Sequence, residues 1–200
     1  MHYLVSILAG LILIFPVLTI AAVEGQTYKV DKNHTQVLFK VSHLGFSHVY
    51  GMFNDMTGSF TIDEKEMAKS KITVEIDVAS VNTLHKDRDE HLRKADFFDV
   101  KKYPKMIFKS TKVIKKRANS YQVTGNLTLH GKTKPLSFVF NRMKTGKDHR
   151  GKIRTGGTAQ FKIKRTDFGM NYMAKPGQIG DEVDVILTLE GICQSNCKSP

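Results

Sequence analysis

The stretch Lys71–Val81, KITVEIDVASV, decides the fold class of this chain. Its apolar side chains fall at every second position, at Ile72, Val74, Ile76 and Val78, with polar or small residues between them. Successive side chains of a β-strand point to opposite faces of the sheet. The alternation therefore predicts a strand with one buried face and one face in water.

The same alternation recurs along most of the chain. Short turn sequences such as KKRANS and HGKTK separate the alternating segments, which suits antiparallel neighbours. Thr83–Asp96 lacks the alternation and is rich in helix-forming residues, so it predicts one short helix between the third and fourth strands. Eight antiparallel strands with one apolar face form either a sandwich or a closed barrel, and the pattern alone leaves both open. The eight predicted strands are QVLFKVSH, 49–62, KITVEIDVASV, 106–116, YQVTGNLTLHG, PLSFVFNR, TAQFKIKR and EVDVILTLEG.

The two ends of the chain differ from this domain. Residues 1–25 contain an apolar run, Tyr3–Val23, that carries no charge, which predicts a secretory signal peptide. The run is also long enough to remain as a membrane anchor, and the sequence leaves that alternative open. Both interpretations place the remaining chain in the periplasm or outside the cell. We expect the folded domain to cover residues 26–193 and a tail to cover residues 194–200.

The two cysteines, Cys193 and Cys197, stand four positions apart at the C-terminus. In an oxidising compartment this spacing predicts a small disulfide loop. A metal site would need more ligands nearby, and no histidine pair has HxH or HxxxH spacing. The sequence therefore predicts neither a metal nor a cofactor.

The formal net charge of +12 raises the question of an anionic partner. Lysines alternate with apolar residues along the chain, and no basic block interleaved with aromatic residues is present, so we predict no nucleic-acid partner. A basic exterior that faces anionic surfaces of the cell envelope explains the charge more simply. Transient contact with a membrane surface and formation of a homodimer both remain open.

Five segments occur in an order that resembles a known family. They are YKVDKNHTQVLFKVSHLGFSHVYGMF (28–53), SVNTLHKDRDEHLRKADFFDVKKYPKMIFKS (80–110), GNLTLHGKTKPL (125–136), RTDFGM (165–170) and GDEVDV (180–185). The set resembles the YceI family of lipocalin-like, polyisoprenoid-binding periplasmic proteins. The resemblance implies an all-β, eight-stranded antiparallel barrel whose interior holds one isoprenoid or fatty-chain lipid. It implies a bound polyisoprenoid or quinone-like ligand, no catalytic residues, and a role that extends to the envelope stress response.

Strand parity gives the set of side chains that point into the barrel. Parity alone leaves open whether they pack against one another or line a tunnel. The resemblance favours a tunnel, so we expect them to contact lipid, with the polar head group at the mouth near the helix. The predicted lipid-binding residues are Phe39, Val41, Phe53, Val74, Ile76, Phe108, Leu127, Leu129, Phe138, Phe140 and Phe161.

The densest cluster of charged and aromatic residues is KDRDEHLRKADFFDVKKYPKMIF, Lys86–Phe108. Catalysis would need a nucleophile or an oriented acid–base pair beside His91, and the local sequence supplies neither. A structural role is favoured, in which Arg88 and Asp89 tie the helix to a loop by charge-assisted hydrogen bonds. The predicted mouth and clip residues are His43, Arg88, Asp89, His91, Phe97, Phe98 and Phe168.

The leading hypothesis is a non-enzymatic carrier of a long-chain lipid such as a polyprenyl quinone. One alternative is an enzyme acting on such a lipid, with His43 or His91 as base. Another is an interaction module with a barrel filled by side chains and a basic surface. Polar side chains that converge inside the barrel would favour the enzyme, and an interior without a continuous void would favour the interaction module.

Overall fold

The structure is a computed structural model that describes residues 25–198. The predicted signal segment lies outside the described residues, apart from Gly25. Within the described part, no helix combines the length and the apolar character needed to cross a membrane. The strands are β1 Gln26–Val30, β2 Gln36–His43, β3 Ser47–Phe53, β4 Met56–Ile62, β5 Lys71–Asp77, β6 Val81–Asn82, β7 Lys105–Arg117, β8 Ser120–Leu129, β9 Lys132–Lys147, β10 Ile153–Lys164 and β11 Ile179–Ser195; the helix is α1 Lys86–Leu92.

The sheet closes on itself through the long strand β11. Near its end β11 pairs with β1, with Gly191 opposite Val30, and near its start it pairs with β2, with Val183 opposite Val41. On the other side β1 pairs with β4, and β2 pairs with β3. β1 with β2, and β3 with β4, therefore act as two interrupted strands of an eight-stranded antiparallel barrel. The structure confirms the predicted barrel and its helix between the third and fourth strands, β5 and β7.

Several strand boundaries differ from the sequence prediction. The predicted strand 49–62 is interrupted at residues 54 and 55 and forms β3 and β4, and β9 and β10 begin earlier than predicted, at Lys132 and Ile153. The third predicted strand continues to Val81, whereas β5 ends at Asp77, because Oδ1 of Asp77 accepts a hydrogen bond from Ala79 N at 3.0 Å and starts a 3-10 turn. β1 is not among the eight predicted segments. β1 also extends the paired part of β11. Thr27 pairs with Ser195, two residues beyond the predicted end of the domain at residue 193.

The strands alternate in direction, so the connections fall at two opposite ends of the barrel. One end, the helix pole, holds the β2–β3 turn, residues 83–104 with α1, the β8–β9 turn and residues 165–178. The other end, the hairpin pole, holds the β4–β5 connection, the β7–β8 turn and the β9–β10 turn. Inward-facing residues of the barrel wall form buried clusters around Phe53, Tyr28 and Phe138, each surrounded by half-buried apolar residues.

Candidate functional site

An apolar cavity occupies the barrel interior and extends between the two poles. At the helix pole its wall includes Leu92 and Met170, and at the hairpin pole it includes Ile62 and Met67. The cavity has a volume of about 210 Å³. The wall is formed almost entirely by Phe, Val, Leu, Ile and Met side chains. The inward faces of the strands thus leave an elongated space that side chains do not fill.

All of the residues predicted to bind lipid line this cavity. The structure brings together Phe39, Val41, Phe53, Val74, Ile76, Phe108, Leu127, Leu129, Phe138, Phe140 and Phe161. They meet because period-2 alternation places each on the inner face of its strand. Contact between these side chains and a lipid stays a prediction.

Two groups of aromatic rings stiffen the wall. The ring of Phe138 stacks on that of Phe161, with centroids 4.9 Å apart, and tilts against Phe108 at 5.4 Å. Phe53 contacts Phe39 at 5.7 Å and Phe98 at 5.5 Å. Rings in these geometries attract one another beyond their buried area, so they hold the wall in place while leaving a gap beside it.

The helix is fastened to the preceding loop at Thr83. Oδ1 of Asp89 accepts hydrogen bonds from the Thr83 backbone N at 2.8 Å and from Thr83 Oγ1 at 2.5 Å. Arg88 donates from Nε to Thr83 Oγ1 and from Nη2 to the Thr83 carbonyl oxygen, both at 2.8 Å. This arrangement positions α1, so that Leu92, Phe97 and Phe98 reach the cavity wall.

The two histidines considered as catalytic bases lie away from the cavity. His91 contacts Phe97 and Tyr172 edge-to-face, each at 5.1 Å, and its Nε2 lies 3.1 Å from Asp96. His43 is exposed at the end of β2. Neither histidine belongs to the cavity wall formed by the described residues. Neither side chain therefore forms part of the surface that a ligand inside the barrel would contact.

Arg165 closes part of the helix pole and was not predicted to do so. It is 4% exposed and continues the inward parity of Phe161 and Ile163, which is the signal that could have identified it. Burial lowers the pKa of Arg165, and the nearby Asp181 carboxylate opposes that effect. Phe168, in the turn that begins at Arg165, is buried in the core. The Arg165 guanidinium donates at 2.7–3.2 Å to the carbonyl oxygens of Met170, Tyr172, Met173, Ile179 and Gly180.

Polar side chains enter the cavity wall mainly at the hairpin pole. Arg142 lies over the ring of Tyr121, 5.3 Å from its centroid, and binds Glu64. Burial raises the pKa of Tyr121, whose hydroxyl is the buried side-chain polar atom without a hydrogen-bond partner among the described residues. Thr61, Ser70 and Thr155 also line this end. The end of the cavity opposite α1 is therefore its more polar end.

A second cluster lies on the outer face of the barrel, where the interrupted strand leaves the sheet between β1 and β2. Ligand atoms of Asp31, His34 and Glu190 lie within 4.8 Å of one another, a spacing that would suit a metal ion. However, Nη1 of Arg154 donates to Asp31 at 2.5 Å and to Glu190 at 2.6 Å. The guanidinium supplies the positive charge that these carboxylates require, and the cluster acts as a structural ion network.

The C-terminal segment packs against the start of the domain. Cys193 and Cys197 are joined in a disulfide. Within the loop that this bond closes, Asn196 donates from Nδ2 to the carbonyl oxygen of Gly25 at 3.1 Å. Beyond the loop, Lys198 donates from its backbone N to Gln26 Oε1 at 3.1 Å. The described part of the predicted tail thus lies against β1.

Comparison with known proteins identifies relatives of this barrel. The pattern of the YceI-like domain matches residues 28–191. The protein YceI of Escherichia coli O157:H7 is 44% identical over 169 residues, which cover 84% of this chain and 87% of that protein. The crystal structure of the Campylobacter jejuni YCEI protein is similar with a TM-score of 0.69 and 31% identity, covering 77% of this chain and 90% of that one.

A more distant structure shares the fold. A polyisoprenoid-binding domain from Saccharophagus degradans, implicated in plant cell wall breakdown, is similar with a TM-score of 0.63 and 17% identity. The similarity covers 84% of this chain and 98% of that domain. The match over residues 28–191, together with the identity to the Escherichia coli protein, decides the assignment. The chain belongs to the family of YceI-like domain proteins.

Proposed function

We propose that this protein binds one long-chain lipid inside the barrel and carries it outside the cytoplasm. The observation that carries the proposal is the elongated apolar cavity between the two poles. Water gains few hydrogen bonds in such a space, whereas an apolar chain gains roughly 25 cal/mol for each Å² of surface removed from water. An apolar ligand is therefore the occupant that this wall favours.

The shape and lining of the cavity indicate the class of ligand. β10 has 12 residues and is about 40 Å long, which at the usual tilt of barrel strands spans about 30 Å along the barrel axis. The cavity therefore suits a slender chain aligned with the barrel. The polar residues of the wall lie mainly near its hairpin-pole end, at Arg142, Ser70 and Thr155. An isoprenoid or fatty chain with one polar end, such as a polyprenyl quinone, has this distribution of polarity. The S. degradans domain, named for polyisoprenoid binding, shares the fold.

The polar lining also bears on the orientation of the lipid. The sequence places the head group near α1, and that stays a prediction. The polar side chains of the wall are engaged at both poles. At the helix pole, Arg165 donates its hydrogen bonds to backbone carbonyl groups. At the hairpin pole, Arg142 binds Glu64, and Thr155 Oγ1 lies 2.7 Å from Thr145 Oγ1. The lining therefore favours neither orientation.

The place of action follows from the two ends of the chain. Tyr3–Val23 has the composition of a signal segment. The bond between Cys193 and Cys197 would persist in an oxidising compartment. Together they support a periplasmic or secreted carrier. The enzyme and the filled-barrel alternatives receive less support, because His43 and His91 lie outside the cavity wall and the interior contains a void.

The test is native mass spectrometry of the purified protein, followed by extraction and identification of the lipid. Wild type should carry about one lipid per chain. Phe140→Trp enlarges a side chain in the cavity wall and should reduce the bound lipid several-fold with a small loss of stability. Phe46→Trp is the matched control, because Phe46 is 90% exposed and the same enlargement then lies outside the barrel. Wild type without lipid that also fails to bind geranylgeraniol or oleic acid would refute the proposal.

A further inference from the structure

The positive charge of this protein is distributed unequally between the two poles. At the helix pole, the stretch Lys86–Lys102 interleaves basic and acidic residues in almost equal numbers. At the hairpin pole, the β7–β8 turn follows Lys115, Lys116 and Arg117, and the β9–β10 turn is flanked by Lys147 and Lys152. The excess of positive charge therefore lies at the hairpin pole.

The acidic side chains at this pole do not neutralise that excess. Asp148 accepts from Arg154 Nε at 2.7 Å and from the backbone N atoms of Arg150 and Lys152 at 2.8 and 2.9 Å. Glu64 binds Arg142 and lies 3.4 Å from Lys115 Nζ. Asp63 accepts from the backbone N atoms of Lys65 and Glu66 at 3.0 and 2.9 Å, and Glu66 pairs with Lys69. The acidic side chains of these connections are thus engaged. The exposed Lys116, Arg117, Lys147, Arg150 and Lys152 form no ion pair with any other described residue.

The two turns lie at the same pole but are staggered along the strands. Ser120, the first residue of β8, pairs with Asn141, so the β9–β10 turn lies about six residues, roughly 20 Å, farther along β9 than the β7–β8 turn does. This distance exceeds the Debye length of about 8 Å at physiological ionic strength, so the turns form two basic patches that one flat surface can contact together. Met143, which is 76% exposed on β9, adds an apolar side chain beside Lys144.

We propose that the hairpin pole docks on the surface of a lipid bilayer that contains anionic phospholipids. Clustered Lys and Arg side chains are attracted to the negative surface potential of such a bilayer. The exposed large apolar side chains in the half of the barrel nearest this pole include the aliphatic Met143, Ile114 and Val139, which suit insertion among acyl chains. Aromatic platforms of the kind that stack on bases are not among the exposed side chains described there. The bilayer is therefore favoured over nucleic acid.

Docking at this pole would also bring the more polar end of the cavity to the membrane. Arg142 contributes to the cavity wall and binds Glu64, which belongs to the β4–β5 connection at the same pole. The inference itself rests on the placement of charge and holds whether or not lipid occupies the cavity.

The experiment is co-sedimentation of the full domain with vesicles of phosphatidylcholine alone or mixed with phosphatidylglycerol. Wild type should sediment only with the mixed vesicles, and about 1 M salt should release it, because the Debye length then falls to about 3 Å. The variant K116Q/R117Q/K147Q/K152Q should bind the mixed vesicles about tenfold more weakly or worse. Its circular dichroism melt reports whether the fold is kept, and lipid content by native mass spectrometry tests cavity binding separately.

The matched control removes the same charge from the other pole. K86Q/K94Q/K101Q/K175Q replaces four exposed lysines of the helix pole and should bind the mixed vesicles nearly as wild type does. Equal losses in the two variants would reduce the effect to net charge and overturn the inference. Equal binding of wild type to both kinds of vesicle would also overturn it. So would a result in which only a third variant, F46S/L84S at the helix pole, loses vesicle binding. Release of wild type from the mixed vesicles by a short DNA duplex would favour nucleic acid and overturn it as well.

Discussion

Among single residues, Arg154 joins three segments that are distant in sequence. It donates to Asp148 in the β9–β10 turn, to Asp31 between β1 and β2, and to Glu190 on β11. Burial raises the pKa of Asp31, but hydrogen bonds from His34 and Arg154 lower it more, from 3.8 to about 2. The hydrogen bond from Arg154 is the main reason that the pKa of Asp148 also falls from 3.8 to about 2.

These pKa values predict how stability depends on pH. The unfolded chain takes up protons near pH 3.8, whereas folded Asp31 and Asp148 resist protonation until about pH 2. The stability that these two carboxylates contribute is therefore fully present above pH 3.8 and is lost as the pH falls toward 2. His34 has the opposite sign, because its hydrogen bond to Asp31 raises its pKa above 6.5, and its contribution disappears as the pH rises through that higher value.

The variant Arg154→Gln tests this dependence. It should lower the melting temperature at pH 7 by several degrees and flatten the decline between pH 4 and pH 2, because the two carboxylates lose their shared cation. Thermal unfolding by circular dichroism across this pH range provides the measurement. Arg150→Gln serves as control, because its side chain is exposed in the same turn. Parallel pH profiles for wild type and Arg154→Gln would show that the network does not control acid stability.

Among the elements, α1 depends most on contacts outside itself. A helix of 7 residues is too short to be stable alone. Nδ1 of His85 accepts from Arg88 N at 3.3 Å, and Arg93 donates to the carbonyl oxygens of Ala79 and Val81 at 2.8 and 2.9 Å. Together with the Thr83–Asp89 contacts, these bonds fix the helix over the barrel end.

Asp89→Ala should therefore loosen the whole helix pole. It leaves the buried Thr83 N–H without its acceptor and should lower the free energy of unfolding by about 2–3 kcal/mol, since hydrogen bonds to charged groups are the stronger kind. Hydrogen exchange should increase across residues 83–100. Asp87→Ala removes an exposed carboxylate from the same helix and should change stability by about 0.5 kcal/mol or less. Equal effects of the two substitutions would contradict the clip.

In the whole molecule, some inward-facing side chains of the barrel pack against one another, whereas others face the cavity. Phe138 is 7% exposed and stacks with Phe161, whereas Phe140 is half-buried beside the cavity. Removing a ring from a packed site costs both its burial and the void left behind, whereas a ring beside an existing void has less to lose.

Phe138→Ala should therefore lower the free energy of unfolding by about 3–5 kcal/mol in delipidated protein. Phe140→Ala should cost distinctly less stability but release more lipid. Denaturant unfolding of delipidated protein, alongside the bound-lipid ratio, measures both quantities. The reverse ranking of stability, or unchanged lipid content in Phe140→Ala, would assign Phe140 to a packed core.

The sequence by itself determined what depends on neighbouring residues. Period-2 alternation in segments such as Lys71–Asp77 predicted eight strands and the inward face of each, because a strand's side-chain directions follow from its own backbone. The break in alternation at Thr83–Asp96 located the helix. The same alternation could have predicted that the Arg165 side chain points into the barrel, because Arg165 lies two residues after Ile163.

Only the tertiary structure decided what depends on distant residues meeting. Closure into a barrel requires Val30 to pair with Gly191, and no local pattern encodes a pairing across that separation. The Arg154 network depends in the same way on residues that are distant in sequence. The lysines gather at the hairpin pole because alternate strand directions place the β7–β8 and β9–β10 turns at the same end of the barrel. The cavity depends on the radius at which the sheet closes, because the same Phe and Val side chains would fill a narrower barrel.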